Sequence, residues 1–157
     1  MFLTLFTRLL PWLPAPLRRL ATPARIALLA QFCTFGCVGL IGFVMDTATV
    51  YATRYQLGLY GAGLLAYLVA ATGTWALNRV WTFRGQHSGP MHRQWGIFVL
   101  ANGLGFLLNR GTYAALVTFV PASAAEPILA LAAGCLAGMF VNFHLSRSIV
   151  FQKRPIT

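Results

Sequence analysis

Four long apolar stretches dominate the chain, at residues 31–52, 59–78, 95–120 and 126–145. Polar residues interrupt them singly: Asp46 in the first, and Asn102, Asn109 and Arg110 in the third. None alternates with period two, so the pattern is not that of barrel strands. Each stretch has at least 20 residues, and at about 1.5 Å rise per residue that length crosses a hydrocarbon core of about 30 Å. A segment in lipid must satisfy its own backbone, so the pattern predicts four transmembrane helices. Residues 1–29 read differently. Prolines at 11, 14, 16 and 23 forbid one continuous helix, and the apolar core and cleavage site of a signal peptide are not seen. The segment is expected at the membrane interface. Arg8, Arg18, Arg19 and Arg25 would face phosphates, and Phe2, Leu5, Phe6, Trp12, Leu17 and Leu20 would face acyl chains.

Composition agrees with this reading. Hydrophobic residues make up 58% of the 157 and charged residues 9%, and mean hydropathy is +0.70. Soluble domains carry about a quarter charged residues, so a soluble globule is excluded, and disorder requires low hydrophobicity. Net charge is +10, from twelve Lys and Arg against Asp46 and Glu126. Such a charge can signal nucleic acid, but arginines flanking apolar helices follow the positive-inside rule and attract anionic headgroups. No nucleic-acid partner is expected. Ten of the basic residues fall on one side: Arg8, Arg18, Arg19 and Arg25, then Arg79, Arg84 and Arg93, then Arg147, Lys153 and Arg154. Arg54 lies on the other, with Arg110 toward it. The rule places both termini and the middle loop in the cytoplasm, with Trp81 and Trp95 at the interface. Cys33, Cys37 and Cys135 lack the ligand spacing of a metal site and are expected to pack helices.

The chain also repeats itself. A shift of 63 residues lays the first stretch on the third, bringing Gln31 to Gln94, Phe35 to Phe98, Gly42 to Gly105 and Asp46 to Asn109. A shift of 68 lays the second on the fourth, bringing Arg79 to Arg147 and Phe83 to Phe151. Small residues recur every four positions in both: Ala62, Ala66, Ala70, Thr74 and Ala130, Gly134, Gly138, Asn142. Such ladders let helix backbones approach in lipid. The first and third stretches run the same way, so two helical hairpins related by a pseudo-twofold axis along the membrane normal are expected, as in some transporters.

Asp46 is costly in lipid and therefore a candidate for function. Arg110 lies at a matching depth, so an Asp46–Arg110 ion pair is expected, either fixing the helices or marking a pathway. Asn78, Asn102, Asn109 and Asn142 complete the intramembrane polar set. Arg79 and Arg147 end their helices as equivalents. They are either anchors reaching the headgroups or two guanidinium forks converging on one phosphate, whose oxygens they match bidentately. Paired carboxylates, a phosphate loop and a hydrolytic triad are missing, so no enzyme, metal or cofactor is expected.

The stretch QFCTFGCVGLIGFVMDTATVYA resembles the opening of the GtrA-like family, WALNRVWTFRG resembles its Asn-Arg-x-Trp-x-Phe element, and VNFHLSRSIVFQK resembles a second copy of that element. Gln31 and Thr74 depart from the family pattern, where Arg and Asn are frequent. The resemblance divides the chain into an Arg-rich segment, residues 1–29, and a four-helix domain, residues 30–154. It implies a multi-pass protein of the bacterial inner membrane that moves a polyprenyl-phosphate-linked sugar for cell-surface polysaccharide synthesis. Asp46, Arg79, Trp81, Phe83, Arg147 and Phe151 carry the family's characteristic residues. Arg79, Arg147 and Arg84 would bind the phosphate, and Trp81, Phe83 and Phe151 would line the path. Partners implied are the lipid-linked sugar, membrane lipids, further copies of the chain and a membrane glycosyltransferase. The alternatives are an accessory subunit that anchors such a glycosyltransferase without transport, and a small proton-coupled exporter using Asp46.

Overall fold

A computed structural model describes residues 2–12, 14–86 and 89–152, apart from the side chains of residues 15, 16, 19, 124 and 127. The side chain of Arg19, and Lys153 and Arg154, therefore lie outside the described residues. No strand occurs among the described residues. Short helices α1 (Phe2–Leu9) and α2 (Ala15–Leu20) precede the long α3 (Pro23–Leu77), followed by α4 (Met91–Phe119), a short α5 (Pro121–Ala125) and α6 (Pro127–Leu145). The segment Pro23–Thr82, with mean hydropathy 2.0, and Ile128–Val150, with 1.9, are long and apolar enough to cross a membrane. Helix α4, interrupted by Asn102, Asn109 and Arg110, is not among them.

Prolines set several helix starts further upstream than the apolar pattern alone suggests. Pro23 opens α3 behind Thr22, whose hydroxyl accepts from the Arg25 backbone N–H (3.4 Å), and Pro90 is the N-cap of α4. A first-turn N–H has no helical partner, so proline costs nothing there. Helix α3 is broken at Gly58, whose φ of 67° and ψ of 173° suit glycine alone. The break divides it into a first arm, residues 23–57, and a second arm, residues 59–77. The arms run antiparallel, because a Cβ on Gly42 would meet Thr74 and one on Gly73 would meet Met45. Helices α4 and α6 do the same: the space above Gly105 is filled by Asn142, and Gly134 and Gly138 sit on the Asn109 and Gly105 carbonyls.

These contacts are repeat-equivalent. Gly42 with Thr74 corresponds to Gly105 with Asn142: the Thr74 methyl fills one glycine notch and the Asn142 carboxamide the other. Each small-residue ladder therefore serves its own hairpin. Both hairpins then end in a π-helical turn, Asn78–Thr82 and Ser146–Val150. The Phe83 N–H bonds the Asn78 carbonyl (2.8 Å) and the Phe151 N–H bonds the Ser146 carbonyl (2.7 Å). The widened turns bring Phe83 and Phe151 into the core, fully buried and stacked at 4.6 Å with 9° between their planes. Phe35 meets Phe83 edge-on at 6.2 Å, and its equivalent Phe98 meets Phe151 at 6.1 Å. Phe83 and Phe151 thus stack between matching Phe35 and Phe98 contacts.

Alanine at Gly138 would place Cβ 2.8 Å from the Gly105 carbonyl oxygen, and at Gly134 2.6 Å from that of Asn109. Backbone cannot give way as a side chain does, so each substitution should cost about 1–3 kcal/mol. Gly111 has no atom within 4 Å of the same position, and alanine there should be neutral or stabilising. Thermal unfolding of the purified variants in detergent should rank Gly111→Ala well above Gly138→Ala and Gly134→Ala.

Candidate functional site

Between the two arms of α3, α4 and α6 lies a cleft of about 950 Å³. Its walls obey the repeat. Phe35, Gly39, Leu40, Gly42, Phe43 and Asp46 on the first arm correspond by the 63-residue shift to Phe98, Asn102, Gly103, Gly105, Phe106 and Asn109 on α4, and all twelve line it. Tyr67, Ala70, Ala71 and Thr74 on the second arm correspond by the 68-residue shift to Cys135, Gly138, Met139 and Asn142 on α6, and these line it too. The glycines and alanines keep the space open, and Phe35 and Phe98 line it from the buried core.

The polar groups are concentrated here. Asp46, Asn78, Asn102, Asn109 and Asn142 all reach the cleft, so five of the six intramembrane polar residues expected from sequence are brought together. Asn102 Nδ2 bonds back to the Phe98 carbonyl (2.9 Å), and Asn109 Nδ2 points to Cys135 Sγ at 3.5 Å. Asn142 Oδ1 is buried and accepts no hydrogen bond among the described residues. Tyr67 was not singled out by sequence. Its hydroxyl donates to the Val99 carbonyl (2.6 Å), tying the second arm to α4 at the cleft wall. The signal was its position: it is the only polar residue among the equivalents of the α6 lining besides Thr74.

Arg110 is the sixth residue, and it corrects the expected ion pair. It is exposed, does not line the cleft, and holds its guanidinium 5.5 Å from the centroid of Phe106. The reason is angular: Asn109 faces the cleft, and the next helical residue is turned away by about 100°. Asp46 shares the cleft lining with four asparagines and not with Arg110.

The motif arginines do not converge either. Arg79 donates to Gln94 Oε1 and lies 5.9 Å from the Trp75 ring centroid. Gln94 is buried and donates in turn to the Val150 carbonyl (3.2 Å). Its equivalent Gln31 donates to the Thr82 carbonyl (3.0 Å), again the residue before the motif phenylalanine. Arg147, by contrast, is exposed and lines a second cavity of about 600 Å³ together with Gln31, Trp81 and Phe151. Arg84 is exposed and lines neither cavity. Phe83 lies fully buried in the core and lines neither. In the N-terminal segment, Arg18 donates to the Pro11 carbonyl (2.8 Å) and Arg25 to the Leu20 carbonyl (3.1 Å), closing helix ends.

Residues 34–151 match the family described as GtrA/DPMS, transmembrane domain. The match takes in both repeats and every residue lining the cleft, and the chain is a membrane protein. No curated protein matches it.

Because Asp46 and Arg110 do not touch, their substitutions should act independently. In a double-mutant cycle on thermal stability, Asp46→Asn and Arg110→Gln should add with a coupling below about 0.5 kcal/mol. A buried pair would instead make the single variants much worse than the double one.

Proposed function

We propose that this chain, which belongs to the GtrA/DPMS transmembrane-domain family, carries a polyprenyl-phosphate-linked sugar across the bacterial inner membrane. The observation that carries the reading is the cleft: one carboxylate and four carboxamides gathered, with Tyr67 and Thr74, in a mainly apolar helical wall. Polar groups in lipid are costly and are kept where something polar passes. Carboxamides both donate and accept, so Asn78, Asn102, Asn109 and Asn142 can replace the water around sugar hydroxyls, and the unpartnered Asn142 Oδ1 is ready to accept one. The Asp46 carboxylate oxygens can accept hydrogen bonds from sugar hydroxyls. The volume of about 950 Å³ lies at the upper end of the range of roughly 300–1,000 Å³ usual for small-molecule sites. The prenyl tail stays in lipid, and the phosphate meets Arg84 and Arg147, while Arg79 stays bound to Gln94.

In this reading the two arms of α3, together with α4 and α6, are four membrane crossings in two repeated hairpins, with both termini and the loop at residues 83–90 in the cytoplasm. The motive is the charge bias, since Arg79, Arg84, Arg93 and Arg147 gather at one end while Arg54 marks the other. Four helices are few to enclose a sugar, so copies of the chain assemble, and a membrane glycosyltransferase supplies the loaded carrier.

In proteoliposomes, a short-chain polyprenyl-phosphate sugar should become accessible from the far leaflet at a rate that depends on the cleft. Asn109→Leu and Asn142→Leu should each lower that rate about five- to hundredfold, because a sugar group left unpaired in the cleft costs about 1–3 kcal/mol. Unchanged rates in folded variants would sink the transport reading and leave the accessory-subunit reading in front. For topology, a reporter fused after Thr157 and one inserted at Gly89 should both report cytoplasm; opposite sides for the two would overturn the hairpin arrangement.

A further inference from the structure

The second cavity shares no lining residue with the cleft, and its chemistry differs. It lies where α1 packs against the start of α3, beside both π-helical turns. Its polar floor consists of Gln31, Thr82, Gln86 and Arg147, with Trp81 at the edge, and its roof is Phe2 and Leu3 of α1. The floor can be compared with its repeat equivalent. There Arg79 is bound to Gln94, and the Gln94 amide is spent on Arg79 and the Val150 carbonyl. Here Gln31 makes the matching bond to the Thr82 carbonyl, but among the described residues Arg147 has no recorded hydrogen-bond or ion-pair partner, and it stands exposed in the cavity. Two equivalent positions thus hold one satisfied and one open guanidinium.

The geometry points to a binding site for the phosphate of a lipid, with its headgroup on Arg147 and its chain along α1. The open guanidinium offers a planar fork matched to phosphate oxygens, and Gln86 and the Trp81 indole are further donor groups around it. Free phosphate needs no apolar roof, whereas a lipid chain leaving this cavity runs directly past Phe2, Leu3 and Leu28. The amphipathic α1, whose last turn carries Arg8, is built to lie at the same headgroup level. The site is single because Arg79 is occupied. The inference shares Arg147 with the proposed function and rests on that reading only where the bound lipid is the carrier itself; any anionic phospholipid satisfies the same chemistry.

The test uses the full chain in phosphatidylcholine vesicles and reads quenching of tryptophan fluorescence by added dibromo-phosphatidylglycerol. A saturable component is expected, absent in Trp81→Phe and weakened about ten- to hundredfold in Arg147→Gln. Arg147→Lys should recover part of it, and Leu3→Asp should weaken it by placing a carboxylate in the roof. Arg79→Gln should leave it intact. Undecaprenyl phosphate should compete, whereas millimolar inorganic phosphate should not. Equal loss in Arg79→Gln, no loss in Arg147→Gln, or full competition by inorganic phosphate would overturn the inference. Lipid binding that survives in a protein without sugar transport would sink the proposed function and spare this site.

Discussion

The architecture depends on the face-to-face contact of Phe83 and Phe151. Each ring stands at the end of its own hairpin, delivered by a π-helical turn and braced edge-on by a phenylalanine of the same repeat. Hydrophobicity alone does little to hold helices together in lipid, where the surroundings are as apolar as the side chains. Specific shapes must do it, and here a ring stack joins the halves at one end. Tyr67 to Val99 and Trp95 to Thr72, both hydrogen-bonded, tie the second arm to α4 further along. With the halves clamped along this seam, the space between them remains open.

That space keeps polar groups within an apolar lining: Asn142 fills the Gly105 notch, and Asp46, Asn102 and Asn109 also reach it. A helix carrying glycine at one turn and a carboxamide or carboxylate at the next can approach its partner and still expose a hydrogen-bonding group. The same short spacing that makes the hairpins stable makes the cleft chemically competent.

Much of this was written in the sequence. The offset that lays Asp46 on Asn109 also lays six wall residues of the first arm on six of α4, so the cleft follows from the repeat. The asparagines were legible because a carboxamide in an apolar helix has few uses. Directions were not legible. Arg110 sits one position from Asn109, and one position in a helix is the difference between facing a cleft and facing lipid. The capture of Arg79 by Gln94 depended on a contact between hairpins that no local pattern encodes, and so did the burial of Phe83. Helix starts moved upstream because Pro23 and Pro90 begin helices, although the same residue type forbids their interiors.

The two walls of the cleft match in position but not in charge: Asp46 stands where its counterpart is Asn109. An assembly of two identical hairpins would set a pair of carboxylates across one low-dielectric space, where like charges repel strongly and one proton would have to be shared. Joining the hairpins in a single polypeptide removes that obligation, since each half can then vary alone. The substitution matches one carboxyl group with an amide of nearly the same shape on the other wall, which gives the chamber a left and a right side and lets it hold an asymmetric molecule in one orientation.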